Sequence, residues 1–222
     1  MRVLAVIHST DAGPELFEEV LSEDGHELVT WDIRAQGTPT LDADAVMVFG
    51  GDQNVGEEVR HPWLHEEYDA LRRWVDDGTP LLGVCLGAQT LAHAFDARVT
   101  PIGHALAGFY ETTLTDAGAD DPVLGVLPRR FEAFNANAYR FTIPGVATEL
   151  ATGPVPQAFR VGGRAWGVQF HPEIRRDHVM TWFEEAPRPV AEIAAELDRK
   201  LPAWQELGRR LCRAFLATAR PA

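Results

Sequence analysis

Two stretches carry residue types at spacings suited to chemistry. The first is Pro80-Leu81-Leu82-Gly83-Val84-Cys85-Leu86-Gly87-Ala88-Gln89. Gly83 and Gly87 flank Cys85 two residues away on each side. That is the spacing of a Gly-x-Ser-x-Gly nucleophile elbow with sulfur in place of oxygen. A nucleophile on so tight a turn strains its own backbone, and its neighbours must lack side chains. A thiol at a helix N-terminus is also biased toward the reactive thiolate. The same residues fit a buried cysteine in a Gly-rich turn, and the stretch alone leaves both readings open.

The second stretch is His171-Pro172-Glu173, which follows Val168-Gln169-Phe170. On extended backbone His171 and Glu173 project to the same side, because the period is two. A carboxylate beside an imidazole orients it and stabilises its protonated form. A cysteine nucleophile needs such a proton shuttle. Two further features bear on the pair. Gly50-Gly51 closes a short apolar run, where parallel sheets bind ligands, although taken alone it reads first as a plain tight turn. Gln89 lies at i+4 from Cys85, so both face one side of a helix and one pocket.

The elements that must position these residues follow from periodicity. Val3–Ile7, Leu28–Trp31, Ala45–Phe49 and Leu81–Val84 are short apolar runs suited to buried parallel strands. Helical spacing separates them at 14–24 and 63–75, and a further helix is expected over 86–95. This alternation implies an α/β fold with a doubly wound, mostly parallel sheet flanked by helices. Residues 99–115 alternate and suggest added antiparallel strands, and 116–130 reads as mostly loop. Short strands are expected at 131–134, 139–143, 148–151, 158–161 and 165–170. C-terminal helices are expected over 177–185 and 189–219, the latter interrupted at Pro202. The organisation expected is a catalytic domain over 1–174 and a helical extension over 175–222 packed on the same domain.

The chain's 222 residues suit one α/β domain with a sizeable core. A net charge of −13 disfavours nucleic acid and anionic membrane as partners. The two cysteines, Cys85 and Cys212, lie in unlike contexts, so a reducing cytoplasm fits better than a disulfide framework. Met1-Arg2 runs straight into a strand, so no signal peptide is expected, and no apolar run is long enough to span a bilayer. Cys and His do not cluster at metal-ligand spacing, and no metal or other cofactor is expected.

Gly83-Val84-Cys85-Leu86-Gly87-Ala88-Gln89, then Gly167-Val168-Gln169-Phe170-His171-Pro172-Glu173, with Gly50-Gly51 upstream, resembles the class I, triad-type glutamine amidotransferases. Arg60-His61-Pro62-Trp63-Leu64 and Gln157-Ala158-Phe159-Arg160 resemble free-standing members similar to the amidotransferase domain of GMP synthase. The resemblance implies a flavodoxin-like fold and hydrolysis of the glutamine side-chain amide. It implies Cys85 as nucleophile, His171 as base and then acid, and Glu173 as its orienter. Backbone N–H groups of Leu86 and of Gly51 would form the oxyanion hole, with Gly50 and Gln89 at the substrate. The ammonia would pass to a separate synthase, because only about fifty residues follow Ile174, too few for a synthase domain.

The chain departs from the family pattern in two places. Gly50-Gly51 is followed by Asp52 where members often carry Pro. Where relatives resemble Phe-x-Trp-His-x-Asp-x-Phe, this chain has Phe134-Asn135-Ala136-Asn137-Ala138-Tyr139-Arg140-Phe141. Asn137 and Tyr139 thus join the candidate substrate-binding residues. They imply either another γ-glutamyl amide as substrate or a changed partner. A non-catalytic regulatory protein that kept the fold is the remaining alternative.

Overall fold

The computed structural model describes residues 1–182 and 189–219. Nine strands form one sheet. In spatial order they are β2 (Glu27–Asp32), β1 (Arg2–Ile7), β3 (Ala45–Val48), β4 (Leu81–Val84), β9 (Ala165–Val168), β8 (Ala158–Val161), β7 (Ala147–Thr152), β5 (Val99–Leu114) and β6 (Arg130–Phe141). The first five pair in parallel, and from β9 onward every pairing is antiparallel. The mostly parallel, doubly wound sheet expected from the alternation is thus present, with the antiparallel strands added at one side.

Period two explains why the parallel strands read as unbroken apolar runs. In β1, Val3, Ala5 and Ile7 join one core, while Leu4 and Val6 join the other. In β3, Ala45 and Met47 divide from Val46 and Val48 in the same way. The first core is completed by Phe17, Val20 and Leu21 of α1 (Leu16–Glu23) and by the apolar stripe of α7 (Val190–Thr218). The second is completed by Leu64 and Leu71 of α3 (Trp63–Asp76) and Ala88 and Leu91 of α4 (Leu86–Ala94). Two single-turn helices, α2 (Ile33–Gln36) and α5 (Asp116–Ala119), lie in the connections. The Asp32 carboxylate caps the first by accepting from Arg34 N–H.

The fold corrects two expectations. The two short strands expected at 131–134 and 139–143 are one strand, β6, paired with the long β5 along most of its length. Asn135 and Asn137 are poor strand formers, and this pairing overrides their propensity. Pro202 does not interrupt α7, because Leu197, Leu201 and Trp204 around it are all buried in the first core. The helix expected over 177–185 appears as α6 (Arg176–Trp182), and residues 183–185 lie outside the described residues. Among the described residues no helix is long and apolar enough to cross a membrane.

Candidate active site

Four chain segments meet beyond the carboxyl ends of the parallel strands, the position where such sheets bind ligands. They are the residues after β1, the Gly50-Gly51 turn after β3, Cys85 after β4, and Gln169–Glu173 after β9. Cys85 caps the N-terminus of α4 with φ 53° and ψ −107°. A side-chain-bearing residue there is strained by about 1–3 kcal/mol. The strain is held by hydrogen bonds from Cys85 N–H to Val168 C=O (2.9 Å) and from Gly87 N–H to Phe49 C=O (3.2 Å).

The flanking glycines have a concrete steric reason. A Cβ on Gly83 would lie 2.5 Å from the Gly87 carbonyl oxygen, and one on Gly87 would lie 2.1 Å from that of Val48. Strand, elbow and helix therefore approach closely only where both residues lack side chains. Leu86 opens α4, and N–H groups of a first helical turn have no intrahelical acceptor.

His171 and Glu173 are both buried and face one another, with His171 Nδ1 2.8 Å from Glu173 Oε1. The opposite ring nitrogen, Nε2, is buried without a hydrogen-bond partner among the described residues. Burial alone would lower the imidazole pKa. The Glu173 carboxylate and the Cys85 sulfur outweigh it and hold His171 well above the usual histidine range. The turn itself is braced from three sides. His171 N–H donates to Phe134 C=O (2.9 Å), and Trp204 Nε1–H donates to His171 C=O (2.8 Å). Leu16 N–H, at the start of α1, donates to Glu173 C=O (2.9 Å).

Cys85 and His171 open into a cleft of about 230 Å³. That is below the roughly 300 Å³ at which drug-sized sites begin, and it suits a small metabolite. Gly50, Gly51, Asp52 and Asn137 line it too, as do Ser9, Asp11 and Trp182. Gly50 sits against the two reactive side chains: a Cβ there would lie 3.4 Å from His171 Cε1 and 3.8 Å from Cys85 Cβ.

Two of the expected substrate residues are not among those lining the cleft. Gln89 is buried, its Nε2 donating to Tyr139 C=O and to Gln169 Oε1, each at 3.2 Å. Tyr139 enters through that carbonyl, which also accepts from Asn137 Nδ2 (2.9 Å). Asn137 Oδ1 is buried with no partner among the described residues.

The sequence reading missed Gln169, whose Nε2 donates to Cys85 Sγ at 3.6 Å. Gln169 lies two residues before His171, as Glu173 lies two after it, so the same sequence spacing would have found it. It also missed Trp182, whose ring packs 5.0 Å from that of His171 and whose Nε1–H donates to Asp11 C=O. No pattern in the sequence signals that contact.

Comparison with known proteins defines the class. The family model for class-I glutamine amidotransferases matches residues 16–181, and the chain belongs to that family. Among curated relatives, a GMP synthase (glutamine-hydrolysing) of Thermomicrobium roseum is 30% identical over 151 residues, covering 67% of this chain and 27% of that protein. One from Thermosipho melanesiensis is 26% identical over 196 residues, covering 78% and 33%. The chain thus spans about a third or less of the length of these relatives. Among solved structures, a glutamine amidotransferase from Thermotoga maritima superposes with a TM-score of 0.85 at 24% identity, covering 97% of this chain and 98% of that one. A putative GMP synthase subunit from Thermoplasma acidophilum does so with 0.68 at 22% identity, covering 99% and 94%. At these identities the likeness speaks for the fold, which is that of the class I amidotransferases.

Proposed function

We propose that the chain hydrolyses the side-chain amide of glutamine and releases ammonia for a separate synthase. The observation that carries this reading is Cys85 on its strained elbow beside His171, whose Nδ1 is fixed by Glu173 and whose Nε2 has no other side chain bound to it among the described residues. The Cys85 thiolate attacks the amide carbon, and negative charge develops on the former carbonyl oxygen. N–H groups of Gly51 and Leu86 are the donors for that oxyanion. Collapse of the tetrahedral species breaks the C–N bond, and protonated His171 gives its Nε2 proton to the departing ammonia. A γ-glutamyl thioester remains on Cys85. Neutral His171 then takes a proton from water, which attacks the thioester carbonyl and restores the thiolate with release of glutamate. Gln169 Nε2–H, aimed at Sγ, supports the charged sulfur.

Family membership supports the amide chemistry. The separate synthase is supported by the likeness to the Thermoplasma protein, itself a putative GMP synthase subunit. Replacing Cys85 by Ala (Cys85→Ala) should reduce ammonia release from glutamine to background. Retained turnover in that variant would end the assignment.

One observation favours a second reading, in which the same residues cleave another γ-glutamyl amide. Asn137 brings to the cleft a buried Oδ1 that has no partner among the described residues, next to the small Ala136. Ammonia release from glutamine, measured beside amine release from a panel of γ-glutamyl peptides and amines, separates the two. A clear preference for glutamine rejects the second.

A further inference from the structure

Behind the Gly50-Gly51 turn lies a second buried histidine–glutamate pair that the hydrolytic steps above do not use. His8 follows β1 and Glu67 belongs to α3, and both side chains are fully buried. His8 Nε2 is 2.6 Å from Glu67 Oε2. His8 Nδ1 is 3.0 Å from the Phe49 carbonyl oxygen and 3.2 Å from that of Gly50. Carbonyl oxygens only accept, so Nδ1 carries a proton whatever the state of Nε2. Trp63 stacks on the ring at 5.3 Å and fixes its plane. Gly51 lies against the other parts of the residue, for a Cβ on it would be 2.6 Å from His8 Cβ. Burial pulls the His8 pKa down, but Glu67 and the two carbonyls outweigh it and raise it. Sequestering such a pair is a weak source of stability, since desolvation offsets most of the attraction.

We propose that His8, itself held by Glu67, is a positioning residue that turns the Gly50–Gly51 peptide so that Gly51 N–H faces the cleft as an oxyanion donor. A trans peptide is planar, with C=O and N–H on opposite sides. His8 draws the Gly50 carbonyl toward itself, so the N–H of the same peptide points away from His8. Gly50 itself packs against the reactive side chains, since a Cβ on it would meet His171 Cε1 and Cys85 Cβ. A donor bound to that carbonyl also polarises the peptide and strengthens its N–H as a donor in turn. The assignment rests on the hydrolytic reading of Cys85.

The test compares His8→Ala, His8→Asn and Glu67→Gln in the full chain. Asn offers an N–H near the Nδ1 position but gives up the Glu67 contact. One readout is kcat and KM for the γ-glutamyl amide that the wild type cleaves best. The other is the rate at which iodoacetamide alkylates Cys85, a displacement that builds no oxyanion. Deleting an oxyanion donor costs about 10²–10³-fold in kcat, and a misdirected donor should cost less. His8→Ala should therefore lose about 10–100-fold in kcat, with KM and the alkylation rate changed by less than about threefold. His8→Asn should recover most of that loss, and Glu67→Gln should fall between. Parallel loss of turnover and alkylation would reveal only general support of the fold and overturn the proposal. Unchanged kcat in His8→Ala would overturn it as well. If His8→Ala does not fold, His8→Asn and Glu67→Gln make the same comparison, with Glu67→Gln expected to lose kcat selectively. If the wild type cleaves no γ-glutamyl amide, the hydrolytic reading falls. The γ-aldehyde of N-acetylglutamate, whose blocked amine cannot close to a cyclic imine, adds reversibly to the Cys85 thiol without a leaving group and then tests His8 alone. Weaker binding to the His8 variants supports the role, and equal binding overturns it.

Discussion

Cys85 owes its exposure to the cleft to a backbone conformation that only close neighbours can enforce. The same neighbours decide which substitutions it tolerates. The Glu173 carboxylate is the group that most raises the His171 proton affinity against the effect of burial. Glu173→Gln keeps the shape and removes the charge, so the folded-state pKa of His171 should fall. In the proposed chemistry protonated His171 delivers the proton to the leaving group, and the rate is lost as pH rises through its pKa. The alkaline limb of kcat/KM should therefore move to lower pH in Glu173→Gln, with kcat down about 10²-fold. A pH profile of both proteins checks this, and an unmoved alkaline limb would remove Glu173 from the role. At this scale the sequence is informative where partners are close along the chain. Cys85 with its glycines, and His171 with Glu173, are local patterns with local physical reasons. His8 and Glu67 stand 59 residues apart, and only the packing of α3 on the sheet brings them together. Asn137 could be singled out by type, but only the packing shows that its Oδ1 has no partner among the described residues.

Elements divide in the same way. The parallel strands were legible as unbroken apolar runs buried on both faces, α1 and α3 by a buried face whose period can be counted, and α4 from the elbow that opens it. The Asn-containing middle of β6 was not, since its strand character comes from β5 across the sheet. The continuity of α7 was hidden by Pro202, whose local effect is opposed by burial on both sides of it. Its apolar stripe reads as core, yet the helix also supports the site. Trp204 and Gln205 donate to the carbonyls of His171 and Ile174. Gly208 lets the helix approach so closely that a Cβ would lie 2.1 Å from the Pro172 carbonyl oxygen. Gly208→Ala must therefore push α7 and the His171 turn apart. We expect a loss of about 1–3 kcal/mol in stability, the usual cost of overpacking. We also expect a fall in turnover larger than the unfolded fraction explains. Urea unfolding and kcat measured on the folded protein separate the two effects. Full activity in a merely destabilised variant would mean that α7 braces the fold but not the turn.

Over the whole molecule, the buried titratable groups around the site give stability a pH dependence with a definite sign. Glu15, at the start of α1, is buried next to the His171 turn and accepts from Arg175 N–H at 2.7 Å. Burial and then the charge of Glu173 push its carboxyl up to about 9, from 4.5. The native state therefore keeps a proton that the unfolded chain has lost, and stability falls as pH rises between those two values. His8 and His171 act in the same direction, because both folded pKa values are raised. Their contribution is complete below about 6.5 and is lost as pH climbs through the folded values. The net charge of −13 adds self-repulsion over the same range. On the acid side, hydrogen bonds from Arg34 hold the Asp32 carboxyl low, so its small contribution disappears only as pH falls through that depressed pKa. Stability should thus peak in mildly acidic solution and decline toward pH 8. Each retained proton contributes at most about 1.4 kcal/mol per pH unit. Glu15→Gln holds a neutral, proton-independent amide in the same place, so its decline between pH 5.5 and 8 should be shallower by up to about 3 kcal/mol. Urea midpoints of both proteins at the two pH values measure the difference. An equal or steeper decline in the variant would show that Glu15 is ionised in the folded protein, and the retained proton would then have to be sought on His8 and His171.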